Sequence, residues 1–334
     1  MFSAKLFNKF TLILAAMFFL SVIISTVADI QNDNYIQFEF NQLLEEVESF
    51  NANHLSSIDS SNIETIYPVD QEYAHYTSGK QALINSFSNL DNATSYYNEA
   101  YGTLSTSILG VALDIDMSFV MARYENGNMV YQIVARETSN NFGGKMGAIM
   151  FYYDKVTNKI YHNSTWTLEN ANGVWNPVYS STSWKTKTIE EFIANYWGEP
   201  DSPLFKINNA TTIEEVFFKQ ISSQDESENG QYHVQYKLHP ILSTGVYGKF
   251  ITEALNTIEP DLVRDLNFKE VIMSAIISKY GELQTMKLKQ NLDFVIYIRK
   301  YNVVFTKNCN FNMTYMYSLY NQPIPFEVPT IPGL

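Results

Sequence analysis

Chemistry needs side chains that attack, ligate or exchange protons at workable spacing, and this chain offers few such arrangements. Five histidines, His54, His75, His162, His233 and His239, are spread over 334 residues. None falls in HExxH or beside paired cysteines, the spacings that place two ligands on one zinc ion. His233 and His239 stand six apart across a strand end, where a metal would need a third ligand from elsewhere. They read as structural histidines, and no metal site is assigned. Asp114 and Asp116 share a strand face ~7 Å apart. That separation approaches the carboxylate pairs of glycoside hydrolysis, but solvated positions alternating along a strand give the same spacing without chemistry. No GxSxG elbow is present, and Thr77-Ser78-Gly79-Lys80 lacks the leading glycine and trailing Ser/Thr of a phosphate-cradling loop. The single cysteine, Cys309, has no histidine near it in sequence and lies in an apolar row, as a buried, unreactive thiol would. No catalytic residue and no cofactor follow from these residues. The expectation is a protein that is not an enzyme.

The elements that would position any site begin after an export segment. Lys5 and Lys9 precede an uncharged stretch from Phe10 to Ala28, whose core TLILAAMFFLSVIIS is followed by Thr26-Val27-Ala28. Small residues at the positions a signal peptidase reads predict cleavage after Ala28 and a secreted or extracytoplasmic protein. The alternative is an uncleaved signal anchor tethering the chain to a membrane, since ~18 uncharged residues is the lower limit for spanning a bilayer. The two lysines would then stay cytosolic and the body would still be exported. No cysteine follows the apolar core, so N-terminal lipidation is excluded. One cysteine also allows no intrachain disulfide.

Loss of residues 1–28 removes two of the 22 basic residues and none of the 35 acidic ones, moving the formal charge from −13 to −15. Nucleic acid and anionic membrane surfaces require clustered Lys/Arg, which is absent here, so neither is an expected partner. Membrane contact is expected only if the N-terminal segment stays uncleaved. Four N-x-[ST] sequons, at Asn92, Asn163, Asn209 and Asn312, are candidate glycosylation sites, about as many as chance supplies in a chain rich in Asn, Ser and Thr.

Helical spacing of Ile36, Phe40, Leu43, Leu44, Val47 and Phe50 predicts a helix over 35–50, and Ala82, Leu83, Ile84 and Phe87 predict another over 79–90. From about Tyr101 the period becomes two. Residues 111–121, 129–135, 146–153 and 159–167 read as strands of an antiparallel meander, with Asn126-Gly127 and Asn172-Gly173 as hairpin turns. Thr188-x-x-Glu191 and Thr212-x-x-Glu215 each predict a short helix opened by a capping box. Ser222–Gly230 reads as a hairpin loop. Strands at 231–238, 270–278, 283–297 and 301–320 and a helix at 244–258 complete the chain. In the last strand Val303, Phe305, Cys309, Phe311, Met313, Tyr315, Tyr317 and Leu319 face one way. Long strands apolar on one face, with few helices to cover them, imply a strongly curved sheet wrapped around a helix or a ligand.

The segments YYDKVTNKIYHN, GQYHVQYKLHP, VYGKF, VIMSAIISKYGELQTMKLKQNLDF and FNMTYMYSLYNQPIPFEVP resemble, in their order of strands, turns and closing Asn-x-Pro, the periplasmic lipoprotein carrier group, the LolA/LppX-like half-barrels. The resemblance covers about Ser78 to Pro329. It implies an α+β fold: a strongly curved antiparallel half-barrel with helices on its concave side, holding acyl chains or another apolar molecule and carrying no catalytic residue. Many of the group are lipoproteins, and this chain lacks their cysteine. The organisation expected is a signal peptide over 1–28, a helical N-terminal extension over 29–77 and the curved-sheet domain over 78–334. The function expected is non-catalytic binding of a lipid or other apolar ligand outside the cytoplasm, with Met117, Leu292, Phe294, Phe311, Met313 and Tyr315 as candidate lining. Ordinary core packing accounts for the same residues. The alternative is a secreted or surface interaction glycoprotein with no small ligand, for which 23 tyrosines would supply contact surface.

Overall fold

The computed structural model describes residues 31–46, 71–108, 110–141, 144–171, 174–196, 198–201, 204–225, 228–258, 261–298, 302–324 and Ile331. The export segment, His54 and residues 47–50 of the first expected helix lie outside them. The chain forms two compact units, Met1–Ser49 and Phe50–Leu334. In the first, helix α1 (residues 31–46) buries Ile36, Phe40 and Leu43, spaced along one helical face.

The second unit opens with α2 (Gly79–Asn92) and a meander of β1 (Tyr96–Ile108), β2 (Val111–Arg123), β3 (Met129–Glu137), β4 (Met146–Asp154) and β5 (Lys159–Thr165). A small hairpin, β6 (Leu168–Ala171) with β7 (Val174–Pro177), a 3-10 turn, β8 (Lys185–Lys187) and α3 (Ile189–Tyr196) follow. Then come β9 (Thr212–Gln220), β10 (Tyr232–Leu238), α4 (Pro240–Ile258), β11 (Val263–Ile277), β12 (Leu283–Ile298) and β13 (Val303–Ser318). Eleven strands form one antiparallel sheet in the order β8-β5-β4-β3-β2-β1-β13-β12-β11-β10-β9. Two meanders thus join where the last strand pairs with the first, Ala100 opposite Tyr315 and Gly102 opposite Met313. A Cβ on Gly102 would lie 2.1 Å from the Met313 sulfur, so the seam closes only over glycine. Gly281, at φ +86°, makes the tight reversal from β11 to β12 that its position predicts.

The sheet is open and curled, the half-barrel expected from its one-sided strands. Helix α4 packs on β11 and also on β3 and β4. Four strands separate β3 from β11, which would place them ~24 Å apart in a flat sheet. Yet Phe250 lies 5.3 Å from the Tyr131 ring of β3, while Tyr247, one turn earlier on the same helix, lies 6.0 Å from the Phe268 ring of β11. Side chains stand roughly perpendicular to a sheet, so both contacts require the strands to curl about the helix. Irregular registers within β11–β12, between Val263 and Asp265 and between Phe268 and Glu270, supply local bends of the kind bulges impose.

Capping behaves differently at the two Thr-x-x-Glu sites. Thr188 Oγ1 accepts from Glu191 N at 3.2 Å and Glu191 Oε2 accepts from Thr188 N at 2.9 Å, a reciprocal cap on α3 as predicted. The second expected helix is instead strand β9. Thr212 donates its hydroxyl to Asn208 O at 2.9 Å, and Glu215 reaches the start of α2, where Lys80 N donates to it at 3.2 Å. Pairing with β10, which buries Phe217, outweighs the local cap in this β-branched segment. Leu319 also departs from expectation. The strand ends at Ser318, and Leu319, at φ +56°, packs against Tyr97, Val120 and Ala122 on the opposite face from Tyr315. Two strands had no separate signal in the sequence. Central β1 is buried on both faces from Tyr96 to Ala100, so it shows no alternation, and β8 has only three residues. Strand β11 starts at Val263, seven residues before its predicted start.

Candidate functional site

The concave face is a single apolar surface shared by both meanders. Its central rows run across β2, β1 and β13: Met117, Gly102 and Met313 in one, Phe119, Ala100 and Tyr315 in the next. Phe311 lies one step along, opposite Leu104. Leu292 and Phe294 sit farther down β12, opposite Cys309 and Lys307. All six candidate lining residues are buried to 1% exposure or less. Four of them, Met117, Phe311, Met313 and Tyr315, converge at the seam, while the β12 pair lies toward β11.

What covers these rows was not legible in the sequence. Helix α4 sends Tyr247 and Phe250 onto the face, and the segment after α3 sends Phe205. Phe205 lies 4.7 Å from Tyr247 and 5.5 Å from Tyr315, while Phe250 stacks on Tyr196 at 4.9 Å and meets Phe151 edge-on at 5.5 Å. Aromatic rings thus occupy the hollow. Beside α4 a groove of about 200 Å³ opens to solvent, lined by Ile241, Thr244, Gly248, Thr252, Leu266 and Phe268 among others. Ile241 and Leu242, at the start of the same helix, are 66% and 51% exposed. Phe268, in contact with Tyr247, separates the groove from the interior.

One polar group interrupts the face. The inward row of β12 reads Met286, Leu288, Gln290, Leu292, Phe294, Ile296, all buried, with Val271 and Phe311 flanking Gln290 on the neighbouring strands. Gln290 Nε2 donates to the Tyr247 hydroxyl at 3.2 Å, and Gln290 Oε1 has no protein partner. A lone glutamine in an apolar row is a signal the sequence did contain. Asn98 Oδ1 and the Tyr196 hydroxyl are also buried without a partner. Burial, the largest cause in each case, raises the Tyr247 and Tyr315 phenols well above their usual range, so both remain protonated.

The groups considered for chemistry stay apart. Cys309 is buried and its thiol is pushed up to about 11, by burial first and then by Asp293. His162 is lowered to about 4 by burial and then by Lys187 and Lys185; His233 reaches about 4 through burial and then Lys219. His239 Nδ1 accepts from Leu242 N at 3.3 Å at the start of α4, and His75 borders a separate surface pocket. Asp116 lies on the convex side, its carboxyl raised by burial against the opposing pull of Arg136 and the Tyr101 hydroxyl. Among the described residues, no three His, Cys, Asp or Glu side chains gather as a metal site. Of the sequons, Asn92, at the end of α2, and Asn312, on β13, are exposed, and Asn209 is exposed in the turn before β9. Asn163 is 1% exposed and donates its amide to Ser180 O at 2.8 Å. Among the described residues no helix is long and apolar enough to cross a membrane.

No protein-family model matches the chain, and no curated protein matches it significantly. Among solved structures it is similar to the lipoprotein LppX of Mycobacterium tuberculosis, at 9% identity and a TM-score of 0.30 over 75% of this chain and 98% of that one. A DUF1329 family protein of Desulfovibrio piger matches at 8% identity and a TM-score of 0.23, over 75% of this chain and 93% of that one. Similarity at this level assigns neither family nor function, so function is argued below from geometry alone.

Proposed function

We propose that this is an exported, non-catalytic carrier that takes an apolar molecule onto the concave face of its sheet, with α4 as its cover. The observation carrying this is the curl itself. Strands as far apart as β3 and β11 meet one helix, and they enclose an apolar face that only Phe268 divides from a solvent-open groove beside that helix. A site of this kind is concave and mostly apolar, with few polar anchors. Met117, Phe311, Met313 and Tyr315 form its floor at the seam, and Leu292 and Phe294 form its end nearer β11. Phe250 and Phe205 fill the space that a ligand would take. Export rests on the N-terminal segment, with release after Ala28. Titration with the apolar fluorophore 1-aminoanthracene tests binding: saturable one-to-one uptake is expected, and non-saturable surface adsorption would contradict it.

The same ring contacts favour a second reading, a secreted interaction protein whose interior is permanently filled by its own side chains. Under that reading Tyr247→Ala, which empties volume beneath α4, creates fluorophore binding that the unmodified protein lacks. Under the carrier reading the unmodified protein already binds.

A further inference from the structure

We infer that the carried molecule is a neutral lipid bearing a hydroxyl group, and that Gln290 and Tyr247 together read that hydroxyl. The inference rests on the carrier function proposed above and specifies its ligand class. Gln290 is 2% exposed and sits among Leu288, Leu292, Val271 and Phe311, all fully buried. An amide in such surroundings is costly unless both of its ends find partners. Its nitrogen is satisfied by the Tyr247 hydroxyl at 3.2 Å, while its oxygen is not. That oxygen can only accept. The Tyr247 oxygen already accepts from Gln290 and from the Tyr315 hydroxyl, which keeps its own proton as the donor, so the Tyr247 hydrogen is left to donate. An acceptor and a donor attached to one hydrogen bond match a group that donates and accepts through a single oxygen, and an alcohol is that group. A carboxylate would set its charge against the Gln290 carbonyl oxygen with only apolar side chains on either side. A plain hydrocarbon would leave the amide as it is.

The approach is short. The groove beside α4 ends at Phe268, whose ring touches Tyr247, and Phe268 pairs across strands with Leu292, the inward neighbour of Gln290. Rotation of Phe268 would let a chain enter from the groove with its hydroxyl arriving at the pair.

The full mature chain, stripped of lipid, would be loaded with 1-aminoanthracene and challenged with hexadecanol, palmitate and hexadecane. Hexadecanol is expected to displace the fluorophore at about tenfold lower concentration than hexadecane or palmitate, the value of one well-made buried hydrogen bond. Gln290→Leu should abolish that preference and leave hexadecane affinity unchanged or improved. Tyr247→Phe, which keeps the ring and its packing, should do the same and carries the test if Gln290→Leu fails to fold. Equal displacement by all three probes, or a preference that survives both substitutions, would overturn the hydroxyl assignment while leaving the carrier function standing. Failure of the protein to bind the fluorophore or any probe would remove the carrier function itself, and this inference with it.

Discussion

The two meanders share one inner face but have different backs. Behind the first, Tyr97, Val120 and Ala122 pack with Leu319 and Ile324, and Val130, Met150 and Tyr152 pack with Ile331, Tyr179 and Trp184. Leu319, Ile324 and Ile331, with the segment before β8, thus cover the strands there. Behind β12 and β13 the surface is a polar lattice. Asn291 Nδ2 donates to Asn308 Oδ1 at 3.1 Å and to Asn310 Oδ1 at 3.0 Å, Asn308 Nδ2 donates to Asn291 Oδ1 at 3.0 Å, and Lys269 pairs with Asp293 at 2.7 Å. The difference teaches what an apolar run in this sequence means. Strand β4 is buried at every position after Met146 because both of its faces are covered, whereas β13 alternates because only one is.

The comparison breaks most readily at the shared inner face. Phe311→Ala should cost about 3–5 kcal/mol of unfolding free energy, measured in urea, because the residue is fully buried beneath the helices. On the covered back, Met150→Ala should cost about 2–3 kcal/mol, the low end for a core methionine, since its cluster is small. A loss near zero would mean that Ile331, Tyr179 and Trp184 do not cover that back in solution.

Acid sharpens the contrast through a buried histidine. His233, on β10 of the second meander, titrates near 4 when folded because burial, aided by Lys219, disfavours its charged form. The unfolded chain takes up that proton at about pH 6.5. Stability from the neutral ring is therefore fully present above pH 6.5 and is lost as pH falls toward 4, amounting to about 2 kcal/mol by pH 5. His233→Gln should remove about half of the combined limb in thermal melts taken from pH 7 to 4.5, because His162 on β5 is lowered to about 4 in the same way. The smallest effect belongs to the polar back of β13. Asn310→Ala should shift stability by less than about 0.5 kcal/mol, because its amide contact is exposed.

The same asymmetry decides how much was legible beforehand. The alternation of β12 and β13 gave their faces and, from them, the curl and the candidate lining. The central strand β1 hid, because Tyr96 and Tyr97 are both buried and cancel the period. Strand β9 hid behind a genuine capping pattern, Thr212 to Glu215, whose acid is used by another helix. The cover was harder still. That Tyr247 and Phe250 meet β13, β11, β3 and β4 depends on how the strands curl, which no local period encodes. Gln290 was visible as an exception in its row but gained meaning only with Tyr247 above it.

The central claim is that this curled interior holds a molecule that the chain does not itself supply. Native mass spectrometry of protein recovered from its producing cells under mild conditions tests it most directly. The account predicts one greasy adduct per chain, lost on solvent extraction and regained on incubation with a cell lipid extract. Recovery of the bare polypeptide mass from every host, before and after such incubation, would contradict it.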